Sequence, residues 1–418
     1  MNKAESEKIA SYFESCGYSA TDDPHSADII ILNTCVVRQS AEDRITGHLG
    51  YLKGIKKNNP YIKIILTGCF VPRSPGRIKE LFPYVDFSFR PGDFNTLRNW
   101  AENNNFLSPR QSEDLLLPVE HTSPCAYISI IQGCNNFCSY CIVPYRRGRE
   151  GSRDIDDINK EATALVKQGI KEITLLGQNV NSYGRDLGMK DGLRELLETL
   201  HTIPGLLRIR FLTNHPKDMS RGLIESIAGL DRICKHVNVP FQAGDNEILK
   251  RMRRNYTREQ YLDLIKMLRS YIPDISLSTD VIVGFPGESE EQFRLSLDML
   301  EQVRFDSSHI AAYSVRTGTI AARQFSDDVP AQEKKRRREI MESLQKRISG
   351  EINGLLLGRT IEVLVEGKKN NKWFGRTKSD KLVFFESNEN CMGYPVNVTI
   401  KKSSPWSLQG DMAAEKPH

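Results

Sequence analysis

Apolar and polar positions divide the first hundred residues into alternating helices and strands. Residues 3–15 carry apolar side chains at helical spacing, and ADIIILNT at 27–34 is a continuous apolar run typical of a buried strand. A second helix is predicted over residues 38–57 and a second strand over residues 61–68. Such alternation is typical of a parallel sheet, so we predict an N-terminal α/β domain over residues 1–105.

The middle of the chain repeats the strand and helix pattern six times. Residues 106–122 mix Asn, Ser, Pro and charged residues without a period, which predicts a linker. Beyond it, helical stretches such as 156–169 and 289–303 separate six apolar runs, which predicts a partial (β/α)6 barrel over residues 123–350. The six predicted strands are YISIIQG, EITLLGQ, RIRFLT, HVNVPFQ, ISLSTDVIVG and SSHIAAYS.

The last part of the chain changes from a helical to a strand pattern. A charged helix around residues 331–350 leads into four short strand-like runs, which predict a small β-barrel over residues 354–412. The stretch after Pro405 has no clear pattern, and we expect it to fray. The predicted fold class is therefore α/β, with a parallel-sheet domain, a partial barrel and a small terminal β-barrel.

Composition narrows the cellular location and the kind of chemistry. No apolar run approaches the roughly 20 residues of a membrane span, and MNKAESEKIA lacks the layout of a signal peptide, so we expect a cytoplasmic protein without membrane contact. In a reducing compartment, nine cysteines favour metal or catalytic roles over disulfides. The net charge of +5 is too small to establish a polyanionic partner by itself.

Two cysteines directly follow predicted strands of the N-terminal domain. Cys35 comes after the first strand and Cys69 after the second. Ligands of open parallel sheets gather at the carboxyl ends of the strands, so we expect these two thiols to be neighbours.

Three further cysteines form a loop after the first barrel strand. Cys134, Cys138 and Cys141 have the spacing C-x3-C-x2-C. Three thiolates bind three irons of a [4Fe-4S] cluster and leave the fourth iron open to the amino and carboxylate groups of S-adenosylmethionine (SAM), whose reductive cleavage releases a 5′-deoxyadenosyl radical. The alternative is a zinc site, which usually needs four ligands in two close pairs. Tyr140, within the loop, either packs beside the adenine of SAM or anchors the loop.

The C-x3-C-x2-C loop resembles the signature of the radical SAM superfamily. STDVIVGFPGESEEQF at 278–293 and NVPFQAGDNEILKRMRR at 238–254 are similar to segments that form the cofactor pocket of that superfamily. The resemblance makes four more residues candidates for the SAM pocket, each with plain packing as its alternative role. They are Gln178, Gln242, Ser278 and Asp280.

The order of the three domains resembles the methylthiotransferases over nearly the whole chain. LLGQNVNSYG at 175–184, FLTNHPKDMS at 211–220 and YSVRTGT at 313–319 are similar to the MiaB-type branch, although Asn214 and Val315 replace the expected Ser and Pro. The resemblance implies a tRNA methylthiotransferase that converts N6-isopentenyladenosine beside the anticodon to its 2-methylthio form. Such an enzyme uses two SAM molecules per product, one as methyl donor and one as radical source.

The same resemblance implies a second [4Fe-4S] cluster in the N-terminal domain. Cys35 and Cys69 match two of its three cysteine ligands, whereas the first ligand and its strand would precede Met1. We expect either that an internal methionine was taken as the start or that the chain is truncated. Cys16 is the alternative third ligand, but it lies at the wrong end of a parallel sheet. We expect the remaining cysteines to be small buried residues, namely Cys125, Cys234 and Cys391.

Two other functions remain open at this point. One is methylthiolation of threonylcarbamoyladenosine in tRNA or of a ribosomal protein, which the LLGQNVNSYG match disfavours. The other is a non-catalytic iron-sulfur RNA-binding protein, which the missing cysteine ligand suggests.

The terminal barrel resembles the TRAM domain, an OB-like RNA-binding module. Such folds hold RNA with cations along the backbone and with aromatic rings that stack on bases. A core position is the alternative for the two aromatic candidates, and ion pairs are the alternative for the arginines. The candidates are Lys372, Trp373, Phe374, Arg376 and Lys378 in the barrel, and Arg146, Arg147 and Arg149 beside the cysteine loop. The resemblance also implies a monomer that binds the anticodon stem-loop of tRNA and takes electrons from flavodoxin or ferredoxin.

Overall fold

The chain forms two compact units. The computed structural model describes residues 2–34, 39–71, 76–104, 106 and 123–413, and for residues 39–41 it describes the backbone only. The first unit comprises Met1–Glu120, Gln132–Gly151 and Ser314–Gln324, and the second comprises His121–Ile131, Ser152–Tyr313 and Phe325–His418. Among the described helices, none is long and apolar enough to cross a membrane.

The first unit is a layered α/β structure with a parallel sheet. Its elements are α1 (Asn2–Ser15), β1 (Ile29–Thr34), α2 (Gln39–Asn58), β2 (Lys63–Gly68), α3 (Gly76–Leu81), β3 (Phe87–Ser88), α4 (Phe94–Asn103), α5 (Val143–Arg146) and α12 (Ile320–Gln324). The strands lie in the order β1-β2-β3, and Thr34 at the end of β1 pairs with Gly68 at the end of β2. The predicted helices and strands of this region are therefore confirmed.

Side chains of β2 alternate between two apolar clusters, as the pleat of a strand requires. Ile64 and Leu66 pack with buried residues of α2 and α3, whereas Ile65 packs with residues of α1 and α4. Both faces of the sheet are thus covered, which explains why β2 reads as a continuous apolar run.

The second unit begins with a partial barrel of parallel strands. Its elements are β4 (Cys125–Ser129), α6 (Ile155–Lys167), β7 (Glu172–Leu176), α7 (Gly192–His201), β8 (Arg208–Phe211), α8 (Arg221–Gly229), β9 (His236–Asn238), α9 (Asn246–Arg251), α10 (Arg258–Tyr271), β10 (Ser276–Val283), α11 (Glu290–Val303), β11 (Ser307–Ala312) and α13 (Ala331–Gly354). Two short strands, β5 (Ile131–Gln132) and β6 (Gly151–Ser152), mark the points where the chain leaves and re-enters the unit.

The barrel strands form two parallel three-stranded sheets, β4-β7-β8 and β9-β10-β11. The backbone N–H of Cys234 donates to the carbonyl oxygen of Ile209 at 2.9 Å, so pairing continues from β8 toward the segment before β9. All six predicted barrel strands are confirmed. Residues 107–122 of the predicted linker lie outside the described residues.

The last five strands close into a small barrel. They are β12 (Thr360–Lys369), β13 (Lys372–Arg376), β14 (Leu382–Glu386), β15 (Pro395–Ser403) and β16 (Leu408–Met412), in the spatial order β12-β13-β14-β16-β15. The expectation that the stretch after Pro405 frays is wrong, because β16 pairs with β14 on one side and with β15 on the other. Leu408 alone anchors β16 in the core, which is too weak a pattern to be recognised in the sequence.

Two buried arginines of β8 connect the partial barrel to the terminal barrel. Arg208, whose exposed fraction is 1%, donates to the carbonyl oxygen of Arg376 at 2.6 Å. Arg210 donates to the carbonyl oxygen of Thr377 at 3.1 Å and to the carboxylate of Glu172 at 3.0 Å. A guanidinium can be buried only when such partners compensate its lost hydration, so these bonds fix the terminal barrel against β8.

Candidate functional site

Cys134, Cys138 and Cys141 lie on one closed loop between β5 and α5. The backbone N–H of Cys134 donates to the carbonyl oxygen of Gly148 at 3.2 Å, and that of Cys141 donates to the carbonyl oxygen of Cys138 at 3.0 Å. Gly133 opens the loop with a φ of +81°, and a Cβ at this position would lie 2.0 Å from the carbonyl oxygen of Arg149. Only glycine fits this close approach of two backbone segments.

Hydrogen bonds hold the cysteine loop on two sides. Asn135 donates from its backbone N–H to Glu150 Oε1 at 3.1 Å and from its side-chain amide to Glu150 Oε2 at 3.3 Å. The carbonyl oxygen of Ser139 accepts from the backbone N–H of Ala321, in α12, at 2.7 Å. These bonds fix the backbone that carries the three cysteines.

The three thiols of this loop are candidate ligands whose number fits a [4Fe-4S] cluster with one open iron. Burial raises the pKa of Cys134 to about 11, against the opposing hydrogen bond from the backbone N–H of Asn136, and a bound cation would remove that proton. Within the part of the chain that the structure describes, no three His, Cys, Asp or Glu side chains converge on one metal position. A cluster needs no such convergence because each thiolate binds a different iron.

Cys69 lies at the carboxyl end of β2, as predicted. Its side chain is buried, and its backbone N–H donates to the carbonyl oxygen of Thr34 at 2.9 Å. Gly68 has a φ of +92°, and a Cβ there would lie 2.2 Å from the carbonyl oxygen of Thr34. Cys35 lies outside the described residues, so its proximity to Cys69 stays a prediction.

Arg147 reaches the Cys69 thiol instead of solvent. Its Nε–H donates to Cys69 Sγ at 3.2 Å, and a second guanidinium nitrogen donates to the Asn2 side-chain oxygen at 2.9 Å. A third nitrogen lies 3.6 Å from a carboxylate oxygen of Glu5. The sequence offered RNA contact or an ion pair for this arginine. It could not single out Cys69, because a partner 78 residues away in the chain leaves no local signal.

The other two arginines beside the cysteine loop also have protein partners. Arg146 lies 3.9 Å from the carboxylate of Glu42, and Arg316 shares that carboxylate at 3.3 Å. The guanidinium of Arg149 lies 4.4 Å from the centre of the Phe137 ring. For Arg146, the ion-pair alternative thus describes the arrangement in this structure.

Cys16 lies in the apolar cluster between the sheet, α1 and α4, and its nearest polar neighbours are Tyr12 and Ser15 of α1. It is fully buried with Ile65, Phe89 and Leu97, and burial raises the pKa of its thiol. These surroundings favour a small packing residue over a metal ligand. Cys234 and Cys391 are likewise buried, whereas Cys125 is half-buried.

In the second unit, three of the predicted SAM-pocket residues lie close together, Ser278 and Asp280 on β10 and Gln242 in the turn after β9. Asn238 donates to Ser278 Oγ and to the carboxylate of Asp280, both at 3.2 Å, and Ser278 Oγ lies 3.0 Å from His236 Nε2. Gln242 has a φ of +66° and donates its backbone N–H to the carbonyl oxygen of Asp280 at 2.9 Å. Burial raises the pKa of Asp280, and the Asn238 hydrogen bond opposes this shift.

The remaining SAM candidates are partly buried residues on two different loops. Gln178 follows β7 in the second unit, and Tyr140 belongs to the cysteine loop of the first unit.

Sequence reasoning missed a polar network that joins the loops after β7 and β8. The side-chain amide of Asn181 donates to the carbonyl oxygen of His215 and its oxygen accepts from the His215 backbone N–H, both at 2.9 Å. Asn179 donates to the carboxylate of Asp218 at 2.7 Å. Burial lowers the pKa of His215 to about 2, so its ring is neutral. The available signal was that both polar segments directly follow predicted strands.

Side chains of the segment predicted to contact RNA mostly contact other residues of the protein. Trp373 lies in the barrel core with an exposed fraction of 6%, and its indole N–H donates to the carbonyl oxygen of Ser387 at 3.2 Å. For Trp373, the alternative of a core position thus describes the arrangement in this structure. The ammonium of Lys378 donates to the carbonyl oxygen of Asp231 at 2.9 Å.

The other three candidates of this segment are partly buried. Arg376 lies 3.7 Å from Glu366, and Lys372 lies 3.3 Å from Glu386. The Phe374 ring is tilted against Phe384 at a centroid distance of 6.2 Å.

Models of known families match three parts of the chain. The Radical SAM superfamily matches residues 128–300, the TRAM domain matches residues 355–413, and Uncharacterized protein family UPF0004 matches residues 1–90.

Curated relatives match almost the whole chain. A protein of Dehalococcoides mccartyi (strain CBDB1) is 48% identical over 412 residues, which cover 99% of this chain and 96% of the relative. One of Acetivibrio thermocellus is 45% identical over 431 residues, covering 99% of this chain and 88% of the relative. Both relatives are named tRNA-2-methylthio-N(6)-dimethylallyladenosine synthase.

Among solved structures, the radical S-adenosylmethionine methyltransferase TsrM from Kitasatospora setae has a similar fold. The TM-score is 0.55 at 16% identity, over 70% of this chain and 65% of that chain. This chain thus spans slightly less than two thirds of TsrM, and at such low identity the likeness concerns the fold alone.

Proposed function

Because the chain belongs to the family of tRNA-2-methylthio-N(6)-dimethylallyladenosine synthases within the radical SAM superfamily, we propose that it converts N6-isopentenyladenosine in tRNA to the 2-methylthio form. The observation that carries the proposal is the closed loop whose hydrogen-bonded backbone carries all three cysteines. Family membership supports the substrate class, and the loop supports the proposal that the chemistry begins at these three cysteines.

In this proposal, Cys134, Cys138 and Cys141 bind a [4Fe-4S] cluster. When bound, such a cluster binds SAM at its open iron and supplies the electron that cleaves a carbon–sulfur bond of SAM. The chain's own part is to keep the three thiols apart, to donate a hydrogen bond to Cys134 Sγ from Asn136, and to fix the loop through Glu150. Tyr140, Gln178, Gln242, Ser278 and Asp280 are the residues we propose for SAM.

We propose that Cys69 and Cys35 bind the second [4Fe-4S] cluster. Support comes from the parallel register of β1 and β2, which pairs Thr34 with Gly68 immediately before these two cysteines. The buried Cys69 thiol also accepts a hydrogen bond from the Arg147 guanidinium, which holds the sulfur at the end of β2.

The function is tested by anaerobic reconstitution of the chain with iron and sulfide, followed by incubation with SAM, a reductant and isopentenylated tRNA. We expect 2-methylthio product in digested tRNA and 5′-deoxyadenosine in solution, both measured by mass spectrometry. Product on threonylcarbamoyladenosine tRNA instead would overturn the substrate assignment. Tight tRNA binding without SAM cleavage would indicate the non-catalytic alternative.

For RNA contact we propose a different surface of the terminal barrel, the β15–β16 hairpin. Trp406, at the tip of this hairpin, has an exposed fraction of 66%, and Lys401 and Lys402 are both exposed. A bulge between Ile400 and Lys402 allows two successive lysines to be exposed where a regular strand would alternate. An exposed aromatic ring beside two cations is the combination that binds single-stranded RNA.

The hairpin tip is anchored, so its side chains project from a rigid base. The side-chain amide of Asn353, in α13, donates to the carbonyl oxygen of Ser404 at 2.8 Å. Rigid presentation lowers the entropy cost of binding.

Replacing Trp406 by Ala should weaken binding of an isopentenylated anticodon stem-loop by about 1–3 kcal/mol, the usual value for one stacked base. The double variant Lys401→Gln, Lys402→Gln should make the plot of log binding constant against log salt concentration less steep, by the amount expected for the loss of about one to two phosphate contacts. Fluorescence anisotropy at several salt concentrations measures both effects. Lys372→Gln is the control. A loss of binding in this variant alone would show that RNA contacts the segment around β13 and not the β15–β16 hairpin.

The proposal also includes the oligomeric state, the location, the electron donor and the part of the tRNA that is bound. We propose a monomer in the cytoplasm that takes electrons from flavodoxin or ferredoxin and binds the anticodon stem-loop. We also propose three domains over 1–105, 123–350 and 354–412 with a linker at 106–122, supported by the parallel sheet, the partial barrel and the closed five-stranded barrel.

A further inference from the structure

Arg147 is a buried cation to which the proposed reaction assigns no role. Its side chain is 4% exposed, and its three guanidinium nitrogens face three different groups of the first unit. Those groups are the Cys69 thiol at 3.2 Å, the Asn2 side-chain oxygen at 2.9 Å and the Glu5 carboxylate at 3.6 Å.

The contacts of Arg147 fix the direction of the N–H group that faces the Cys69 sulfur. A guanidinium presents its N–H groups in a fixed planar fork, so the two hydrogen bonds to Asn2 and Cys69 determine the orientation of the whole group. The backbone also fixes the position of Arg147, because its N–H donates to the carbonyl oxygen of Val143 at 2.7 Å. The Nε–H bond therefore restrains the Cys69 sulfur from the side of α5.

We propose that Arg147 is a positioning residue for Cys69, which holds the sulfur for cluster binding and raises the reduction potential of the cluster bound there. Hydrogen bonds to ligand sulfurs and nearby positive charge stabilise the more negative, reduced cluster. The inference rests on the proposed function, since it takes Cys69 as a ligand of the second cluster. It adds a residue from the segment after the first cysteine loop to the surroundings of the second site.

The test uses the full chain with Cys134, Cys138 and Cys141 replaced by Ala, so that only the second cluster forms. After anaerobic loading with iron and sulfide, the iron content and the midpoint potential are measured, the latter by redox titration followed by electron paramagnetic resonance. Arg147→Met removes the charge and the donors while it keeps a long side chain. Arg147→Lys keeps the charge but not the fork that serves Cys69 and Asn2 together. Arg77→Met, on the exposed surface of α3, is the matched control.

We expect a lower midpoint potential in Arg147→Met, a smaller shift in Arg147→Lys and no shift in Arg77→Met. Should Arg147→Met fail to fold, as judged by its circular dichroism, the Arg147→Lys variant decides. A potential equal to that of the parent in both folded variants overturns the proposal. So does a parent that binds no iron in this background, because Cys69 is then not a cluster ligand.

The failure of the proposed function gives a different result. In that case the chain with all its cysteines makes no methylthio product, while the triple-Ala parent still binds its cluster and the Arg147 variants still shift the midpoint potential. This combination would overturn the proposed function and leave the role of Arg147 intact.

Discussion

The two thiol sites of the first unit are built in opposite ways. Cys134, Cys138 and Cys141 share one loop, and hydrogen bonds within that loop and to Glu150 hold its backbone. Cys69 instead follows a strand, and its hydrogen-bond partners come from β1 and from the segment after α5, where Asn2 of α1 holds Arg147 in turn. The first site is a property of a short sequence, whereas the second is a property of the fold.

This difference decides what each site tolerates. The cysteine loop depends mainly on bonds between residues 133 and 150, with one further bond from Ala321 to Ser139, so most changes elsewhere in the chain should leave its backbone in place. A site assembled from strand ends depends on the register of β1 with β2, which pairs Thr34 with Gly68. The following substitutions separate the two sites, from the largest expected effect to the smallest.

Removing one ligand from each site should give qualitatively different enzymes. Cys138→Ala should reduce SAM cleavage and product to the background of the cluster-free chain, because the first cluster starts the radical chemistry. Cys69→Ala should lose the product while SAM cleavage continues. Mass spectrometry of 5′-deoxyadenosine and of digested tRNA measures both quantities. Cys391→Ala, in the core of the terminal barrel, is the control, and loss of SAM cleavage in Cys69→Ala would show that the sites are not separable.

Glycine substitutions should act on one site at a time. Gly133→Ala and Gly68→Ala each place a Cβ within 2.2 Å of a carbonyl oxygen at positive φ, which costs about 1–3 kcal/mol and weakens cluster retention by about 5- to 150-fold. Only Gly133→Ala should remove the paramagnetic signal that responds to added SAM. Gly47→Ala in α2, where nothing lies within 4 Å, is the control and should retain both clusters. Equal loss of both clusters in either variant would contradict independent sites.

Loosening the loop without steric strain should have the smallest effect. Glu150→Gln weakens the charge-assisted hydrogen bonds from Asn135, worth about 1 kcal/mol in a partly exposed position. Iron should leave the first site about 2- to 10-fold faster in the presence of a chelator, whereas its release from the second site is unchanged. The exposed Glu102→Gln in α4 provides the control for loss of one negative charge. Faster release from both sites would imply that Glu150 stabilises the whole unit.

The comparison also explains what the sequence could predict. The cysteine loop, the parallel sheet and all six barrel strands follow from spacing and periodicity, which are local properties. The partners of Arg147 and Lys378 could not be predicted, because folding brings them from 78 and 147 residues away in the chain. A charged residue in a sequence reveals its charge but not whether solvent, RNA or another side chain receives it.

The terminal barrel illustrates the same limit in a different way. Its strands were predicted from alternating apolar residues, yet alternation does not distinguish which aromatic side chain faces inward. Trp373, in a strand that the sequence predicted, lies in the core, whereas Trp406 lies on the surface. The segment around Trp406 has no apolar pattern from which its exposure could have been predicted. β16 forms because two neighbouring strands pair with it, and pairing partners are not visible in a short segment.

The buried bonds from Arg208 and Arg210 to the backbone at Arg376 and Thr377 affect how the terminal barrel participates in binding. A module on a flexible tether presents its ligand at an effective concentration that the tether length sets. Here the module is fixed to β8, and breaking such buried charged contacts typically costs about 3–5 kcal/mol. An RNA bound to the terminal barrel is therefore held at a fixed distance from the strands of the partial barrel. The terminal barrel thus sets where along the RNA the partial barrel can act, which a flexibly tethered module could not do.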